Sequence, residues 1–352
     1  MIRVDGTMGE GGGQVLRSTL SLSLLTGKTV HLTQIRAGRD RPGLGFQHRM
    51  AVEAAARIGG ARVEGVRIGS QELRFQPGPV VPGDYHFDIG TAGAVGLVLQ
   101  TVLLPLALAR GESTVTVTGG THVPSSPCFH YLDWHWRALM ARLGVRFQLE
   151  MPFAGFYPPG GGELRARIPG GCQPGPAQWL DRGRLLRVRG LSAVALLPEE
   201  IAERQRNRAL NGLRHLDCPV EIAVESMPAR STGTVLALLA EFENTQACFF
   251  ALGARGKRAE RVADEAVQDL IGFLATGAAV DRWVADQLLL PLAFANAASI
   301  LRTAEVTLHL LTQAELIPMF LPGRITVDGA LGEPGIVRVI PAPLRGAPAD
   351  RE

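Results

Sequence analysis

The sequence contains few cysteines, and their number and spacing argue against a disulfide-rich protein and against a cysteine-only metal motif. Four cysteines are spread over 352 residues, and no pair of them has the spacing of a metal-binding motif. So few cysteines in a chain of this length do not make a disulfide framework. We therefore expect reduced thiols and a cytoplasmic protein. The four residues are Cys128, Cys172, Cys218 and Cys248.

Long hydrophobic runs are also missing. The apolar stretches 95–108 and 288–298 are too short to cross a bilayer without polar breaks, so we expect buried core helices there. A strand-like segment, Ile2-Arg3-Val4, directly follows Met1, which predicts that the chain has no signal peptide. The sequence therefore predicts no membrane partner.

The basic residues are biased strongly towards arginine. Only two of the 36 basic residues are lysines, Lys28 and Lys257. Arginine matches phosphate oxygens in pairs, so this bias suits a phosphate ligand. The net charge of +3 does not by itself require nucleic acid. Otherwise the composition is that of a globular protein, with 46% hydrophobic residues and a length that allows two domains.

Two polar turns in the first fifty residues suit phosphate groups and a metal ion. The turn at 5–17 is rich in glycine, which lets backbone N–H groups approach phosphates closely. The carboxylate of Glu10 in this turn is placed to hold a hard divalent cation that bridges phosphate oxygens. The turn at 35–48 contains three arginines within six positions. The candidate side chains are Glu10, Arg17, Arg36, Arg39 and Gln47, with Arg41 and His48 as secondary candidates.

Glycine-rich turns also occur only because the backbone needs positive φ. This one is not a P-loop, because no Gly-Lys-Ser/Thr follows it. It also lacks the strand and helix that surround a dinucleotide-binding GxGxxG motif. The arginine cluster therefore carries more of the phosphate prediction than the glycines do.

From about residue 1 to residue 340 the sequence resembles the RNA 3′-terminal phosphate cyclases. Beyond the two turns, the matching motifs occur in the same order at 119–121, 155–162, 285–287 and 309–312. Family members usually have a basic residue before the glycine motif at 155–162. Ala154 occupies that position here, so we expect no basic contact from it.

The resemblance implies that His309 is the nucleophile. On its own, a histidine at a helix start is more often a satisfied core residue. In the family this histidine attacks the α-phosphate of ATP and becomes linked to AMP through a ring nitrogen. An RNA 3′-phosphate then takes the AMP, and the neighbouring 2′-OH closes a 2′,3′-cyclic phosphate. Ordinary imidazole has a pKa of about 6.5, so a neutral nucleophile is available at pH 7.

The resemblance also implies binding roles for other residues. Glu10 is expected to hold Mg²⁺ or Mn²⁺, and the arginines and Gln47 to hold the ATP triphosphate, the RNA 3′-phosphate or each in turn. Adenine is expected between Trp283 and Pro127, although this tryptophan could also be a core residue. The nearby polar residues are Gln100, Asp286 and Gln287.

Internal repetition predicts the fold. Segments 14–32, 93–117 and 287–308 share one plan, in which a polar turn with a nearby glutamine leads to an apolar helix and then a β-branched strand. Each is followed by a second helix and short strands. We therefore predict an α/β (α+β) fold whose main domain has three repeated units of two helices on a small β-sheet. The family's main domain is built from three such repeats.

The predicted domain boundaries follow from where this plan is interrupted. Residues 1–183 and 278–340 are predicted to form the main catalytic domain. Residues 184–277 are predicted to form a smaller inserted α/β domain, and 341–352 a C-terminal tail.

Two other functional classes remain open at this stage. One is a non-catalytic relative that binds ribosomal RNA during ribosome assembly, although family members of that type lack the nucleophilic histidine. The other is a carboxyvinyl transferase that uses phosphoenolpyruvate, since such enzymes share a related repeat architecture. A carboxyvinyl transferase would need a different cationic site and no adenylated histidine.

Overall fold

The computed structural model describes residues 1–341. These residues form a mixed α/β protein with sixteen strands in four four-stranded sheets and eight α-helices. The predicted fold class is therefore confirmed at this level. The C-terminal tail predicted at 341–352 lies outside the described residues, except for Pro341.

The strands in chain order are β1 (Ile2–Asp5), β2 (Val30–Thr33), β3 (Arg62–Glu64), β4 (Leu73–Gln76), β5 (Asp84–Asp88), β6 (Ser113–Gly119), β7 (Gln148–Phe153), β8 (Gly162–Ile168), β9 (Gln178–Trp179), β10 (Leu185–Ala195), β11 (Val220–Ser226), β12 (Gly233–Phe242), β13 (Gln246–Leu252), β14 (Ser299–Thr303), β15 (Arg324–Asp328) and β16 (Gly335–Ile340). The helices are α1 (Gly13–Thr26), α2 (Phe46–Ile58), α3 (Val95–Leu108), α4 (Arg137–Arg142), α5 (Glu200–Leu213), α6 (Ala259–Thr276), α7 (Val284–Ala293) and α8 (Leu308–Phe320). A π-helical segment, Tyr131–Trp136, leads directly into α4.

Three of the sheets share one strand order and one pattern of strand directions. Their orders are β1-β2-β4-β3, β5-β6-β8-β7 and β9-β14-β16-β15. In each sheet the first two strands are parallel, and the remaining neighbours are antiparallel. The pairs of helices that belong to them are α1 with α2, α3 with α4, and α7 with α8.

The fourth sheet is formed by the stretch of chain between β9 and α7. Its order is β11-β10-β12-β13, and α5 and α6 pack against it. This sheet and its two helices bury a core of their own, which includes Leu238, Phe249, Leu270 and Phe273. Trp283 is half-buried and packs against both this core and the larger one.

Helices α3 and α7 are both apolar, and both carry side chains that line the cleft described below. Helix α3 is apolar on nearly every side and buried, as expected for a core helix, which confirms the prediction for 95–108. Helix α7 ends at Ala293, so the helix predicted at 288–298 is too long at its C-terminal end. Pro291 lacks an N–H for the helical ladder, and the chain turns before β14 begins at Ser299.

Candidate active site

A cleft of about 1170 Å³ opens between α1, α3, α7 and the start of α8. The loop 123–127 forms part of one wall, and residues of the fourth sheet and α6 line the opposite side. Most of the residues predicted from the sequence line this cleft. They are Glu10, Arg17, Arg39, Gln100, Pro127, Trp283, Asp286, Gln287 and His309.

His309 lies at the N-terminus of α8 and faces the cleft. The preceding Thr307 caps the helix, because its hydroxyl oxygen accepts the N–H of Leu310 at 3.1 Å. The imidazole is 43% exposed, so it is not a buried core residue, and its Nε2 lies 3.5 Å from Oε2 of Glu10. Burial lowers the pKa of His309, and Arg17 and Arg39 lower it further, while Glu10 opposes the shift. The ring is therefore mainly neutral at pH 7, with a free nitrogen lone pair.

A glycine brings Glu10 close to His309. A Cβ on Gly9 would lie 1.8 Å from Oγ1 of Thr312, and the φ of Gly9 is +59°. Only glycine therefore allows this turn to rest on α8. Oε2 of Glu10 also accepts a hydrogen bond from Nη2 of Arg39 at 2.8 Å. A carboxylate that is partly exposed to the cleft has the donor oxygens that Mg²⁺ or Mn²⁺ requires.

Positive charge concentrates around the N-terminus of α1. A Cβ on Gly13 would lie 2.4 Å from Nε2 of His48 and 2.9 Å from Nη1 of Arg17, so glycine lets both groups approach the helix. Burial lowers the pKa of Arg17 to about 10, although Asp286 opposes this shift, and the guanidinium stays charged at pH 7. Burial and three neighbouring arginines lower the pKa of His48 to about 3, so this histidine is neutral. Guanidinium groups beside the positive end of a helix form a site for anions.

The cleft lining does not include the predicted residues Gln47 and Arg36, or the secondary candidates Arg41 and His48. The side-chain oxygen of Gln47 accepts the N–H of Ala94 at 2.8 Å and so holds the turn before α3. Nη1 of Arg36 donates to the carbonyl oxygen of Gly43 at 2.7 Å, within its own turn. Arg36 nevertheless lies near Arg39, since the second guanidinium contributes, after burial, to lowering the pKa of the first.

Hydrogen bonds between helices organise the other end of the cleft. Nε2 of Gln14 donates to Oδ2 of Asp286 at 2.6 Å and joins α1 to α7. Nε2 of Gln100 donates to Oε1 of Gln287 at 2.8 Å and joins α3 to α7. Burial raises the pKa of Asp286 to about 7, although Arg17 opposes the shift. The polar residues expected near adenine thus belong to two separate interhelical hydrogen bonds, both of which end on α7.

Trp283 is held by a buried aspartate that the sequence reasoning missed. Oδ1 of Asp281 accepts the N–H groups of Trp283 and Val284 at 2.9 and 3.0 Å and the hydroxyl of Tyr131 at 3.1 Å. Oδ2 of Asp281 lies 2.6 Å from Nε2 of His135, and both side chains are at most 1% exposed. Asp281 lies three residues before the first residue of α7, where a capping aspartate is common, but the sequence predicted this helix only from residue 288.

The described residues contain no helix that is both long enough and apolar enough to cross a membrane.

Known proteins match this chain over nearly its whole length. The family model described as RTC, RNA 3′-terminal phosphate cyclase, matches residues 8–327. An RNA 3′-terminal phosphate cyclase of Nostoc punctiforme is 45% identical over 337 residues, which cover 94% of this chain and 97% of the relative. Relatives with the same name from Methylococcus capsulatus and Archaeoglobus fulgidus are 44% and 41% identical; the matches cover 96% and 94% of this chain and 96% and 98% of theirs. The chain therefore belongs to the RNA 3′-terminal phosphate cyclase family.

Proposed function

We propose that this protein is a ligase-type nucleotidyl transferase that uses ATP to convert an RNA 3′-terminal phosphate to a 2′,3′-cyclic phosphodiester. The observation that carries the proposal is the environment of His309. Its imidazole faces the cleft, has a lowered pKa and lies 3.5 Å from a carboxylate oxygen of Glu10. A neutral imidazole among phosphate-binding groups suits attack on a phosphorus atom.

The reaction would proceed in three steps through two covalent intermediates. A ring nitrogen of His309 attacks the α-phosphorus of ATP, so that a P–N bond forms and pyrophosphate leaves. An oxygen of the RNA 3′-phosphate then attacks the same phosphorus, the P–N bond breaks, and an RNA–phosphate–AMP anhydride results. The ribose 2′-OH attacks the activated RNA phosphate and AMP leaves. This last step is intramolecular, so proximity supplies much of its rate.

The charged side chains in the cleft would stabilise the phosphates. Arg17 and Arg39 line the cleft and would hold the triphosphate, the RNA phosphate or each in turn. Arg36 and Gln47 lie outside the cleft lining, but their contacts to Gly43 and Ala94 use only Nη1 and Oε1, so the other guanidinium N–H groups and the Gln47 amide NH2 could still donate to a phosphate. Glu10 would hold Mg²⁺ or Mn²⁺, which when bound would neutralise charge on the phosphate oxygens.

The adenine would occupy the end of the cleft formed by α3 and α7. Trp283 and Pro127 both line the cleft and would hold the base between them. The amide and carboxyl groups that would surround the base are those of Gln100, Asp286 and Gln287. The guanidinium of Arg282 lies 4.5 Å from the centre of the Trp283 ring and supports it by a cation–π contact.

The shared sheet pattern supports a proposal for domain organisation. We infer that the three sheets of common order represent three copies of one unit, which together form the catalytic domain at 1–183 and 278–340. Residues 184–277 would be an inserted domain, since they form a sheet of different order with a separate core. The four cysteines are all free thiols, which supports a cytoplasmic location.

The activity can be tested with a 3′-phosphorylated oligoribonucleotide and ATP. The proposal predicts a product end that resists phosphatase, formed only when ATP is present. His309→Ala should form none, while His215→Ala, which removes an exposed histidine of the fourth-sheet region, should match the wild type. RNA binding without any ATP-dependent change at the 3′ end would instead favour the non-catalytic, ribosome-assembly type of relative.

A further inference from the structure

A second cluster of reactive side chains lies behind one wall of the cleft. His122, Cys128 and His130 are all buried, and one potential ligand atom from each lies within 4.8 Å of the others. The loop 123–127, which lines the cleft, connects the first of these residues to the second. The spacing of the four cysteines alone does not indicate this cluster, because its other two ligands are histidines.

The two imidazoles already have nearly the spacing that a metal ion needs. Nε2 of His122 lies 3.1 Å from Nδ1 of His130, so the two nitrogens face each other. Two nitrogen ligands of a tetrahedral zinc ion are separated by about 3.3 Å, given metal–nitrogen bonds of roughly 2.0–2.1 Å. The two nitrogens share a hydrogen bond in this structure, so ion binding would replace that bond, and the rings and the sulfur, whose ligand atoms lie within 4.8 Å of one another, would close around the ion.

The outer contacts of the cluster fit metal ligands. Nδ1 of His122 lies 2.8 Å from the buried hydroxyl of Thr121, which also accepts the N–H of Gly155 at 2.9 Å. Such an outer partner fixes the orientation and tautomer of a metal-binding histidine. Burial raises the pKa of the Cys128 thiol to about 12, and the backbone N–H groups of Tyr131 and His130 oppose this shift only in part. The metal-free thiol is therefore protonated, and a bound ion would have to displace its proton.

We propose that His122, Cys128 and His130 bind one thiophilic metal ion, Zn²⁺ or Cu⁺. Two nitrogens and one sulfur suit these ions, whereas Mg²⁺ and Mn²⁺ prefer oxygen ligands. The site is therefore chemically distinct from the one proposed at Glu10. On binding, the Cys128 thiol loses its proton to solvent as the metal–sulfur bond forms.

The bound ion would stabilise one wall of the cleft. Its ligands lie on both sides of the loop 123–127, whose ends are already joined by the N–H of Phe129 and the carbonyl oxygen of Thr121 at 3.1 Å. A metal bound to the folded state alone stabilises that state. The bound ion would thus hold the loop that contains Pro127 in place. This effect does not depend on the proposed catalytic function.

The test uses the full-length protein, freed of metal with a chelator and kept free of ATP. Zn²⁺, Co²⁺ as a spectroscopic substitute, and Cu⁺ under anaerobic conditions are then added separately. We expect one equivalent of Zn²⁺ or Cu⁺ per chain, a higher melting temperature, and a thiolate-to-metal absorption band with Co²⁺. The ion that binds at one equivalent per chain is identified as the ligand of this site.

Cys128→Ser is the decisive variant, because it removes the thiolate with little change of volume. We expect it to lose the absorption band and to bind the ion at least about tenfold more weakly. Cys172→Ser, which removes a thiol outside the cluster, should behave like the wild type. Near-ultraviolet circular dichroism of the metal-free variants reports whether the fold is retained. The proposal is overturned if neither ion binds at one equivalent, or if Cys128→Ser keeps the same stoichiometry and spectrum.

Discussion

Nε2 of His309 lies 3.5 Å from Oε2 of Glu10, across the contact between the glycine-rich turn and the start of α8. The two residues are 299 positions apart in the sequence. Their proximity joins the proposed nucleophile to the proposed metal ligand. The same carboxylate oxygen also accepts a hydrogen bond from Arg39, so one acidic group contacts both the histidine and an arginine for which we propose a phosphate-binding role.

The turn that carries Glu10 should not tolerate a side chain at Gly9. Gly9→Ala would place a Cβ 1.8 Å from Oγ1 of Thr312, so the turn must move away from α8 and take Glu10 with it. We expect at least about a tenfold loss in the rate of self-adenylation, since small displacements of catalytic groups are costly. Single-turnover labelling of the protein with ATP measures this rate.

Gly256→Ala is the matched control for Gly9→Ala. Gly256 also has a positive φ, +81°, but nothing lies within 4 Å of the Cβ that it would gain. This variant should lose only about 1–2 kcal/mol of unfolding free energy through backbone strain, with its adenylation rate unchanged. Equal loss of adenylation in both variants would show that backbone strain, rather than the contact with Thr312, accounts for the effect.

The pH dependence of self-adenylation should report the charges around His309. Because its pKa is lowered, the reactive neutral ring persists below pH 6.5, and the rate should fall only as pH drops through the lowered value. Arg39→Ala removes one of the positive charges that lower this pKa, so the acidic limb of the profile should move to higher pH. Rates measured from pH 4.5 to 8 in both proteins test the shift.

Arg67→Ala, a change at an exposed arginine of the same domain, controls for a general loss of positive charge. Its profile should overlay that of the wild type. Free ATP titrates in the same way in all three experiments, so the rates are compared well below saturation with ATP, where the profile reports the free enzyme and free ATP. An acidic limb that stays in place in Arg39→Ala would mean that the titrating group is not His309.

Asp281 should be important for stability as well as for the position of Trp283. Asp281→Ala leaves His135, the Tyr131 hydroxyl and two backbone N–H groups without their buried partner. Breaking a buried pair of this kind costs about 3–5 kcal/mol of unfolding free energy. Denaturant unfolding measures this cost, and calorimetry should show weaker binding of ATP.

The exposed Asp217 provides the comparison. Asp217→Ala should change the unfolding free energy by no more than about 0.5 kcal/mol. Asp281→Asn keeps acceptor capacity for the backbone N–H groups and should lie between the wild type and the alanine variant. Wild-type stability in Asp281→Ala would contradict the hydrogen-bond network described around Trp283.

Local patterns in the sequence predicted many of the elements and most of the cleft, but the strand expected at the end of the segment 287–308 lies earlier, at Ser299–Thr303, and Leu308 already begins α8. The continuous apolar run at 95–108 could only be a core helix, and it forms α3. The position of His309 at a helix start follows from the Thr307 that caps α8. Short motifs, each read from a few neighbouring residues, thus indicated which backbone segments form the site.

Side-chain direction and long-range partners could not be read in the same way. Arg36 and Arg39 occupy one turn, but one donates to Gly43 and the other to Glu10. The partner of Asp281 is His135, at a separation of 146 residues, and only the folded chain brings the two together. A single sequence contains no local pattern that specifies such a pair.

The most direct test of the account is covalent labelling of His309. Wild-type protein is incubated with α-labelled ATP and a divalent metal, and label on the protein is measured on a denaturing gel. The account predicts acid-labile label on the wild type and on His215→Ala, no label on His309→Ala, and discharge of the label by 3′-phosphorylated RNA. Label that persists on His309→Ala, or an unlabelled wild type that still binds RNA, would contradict it.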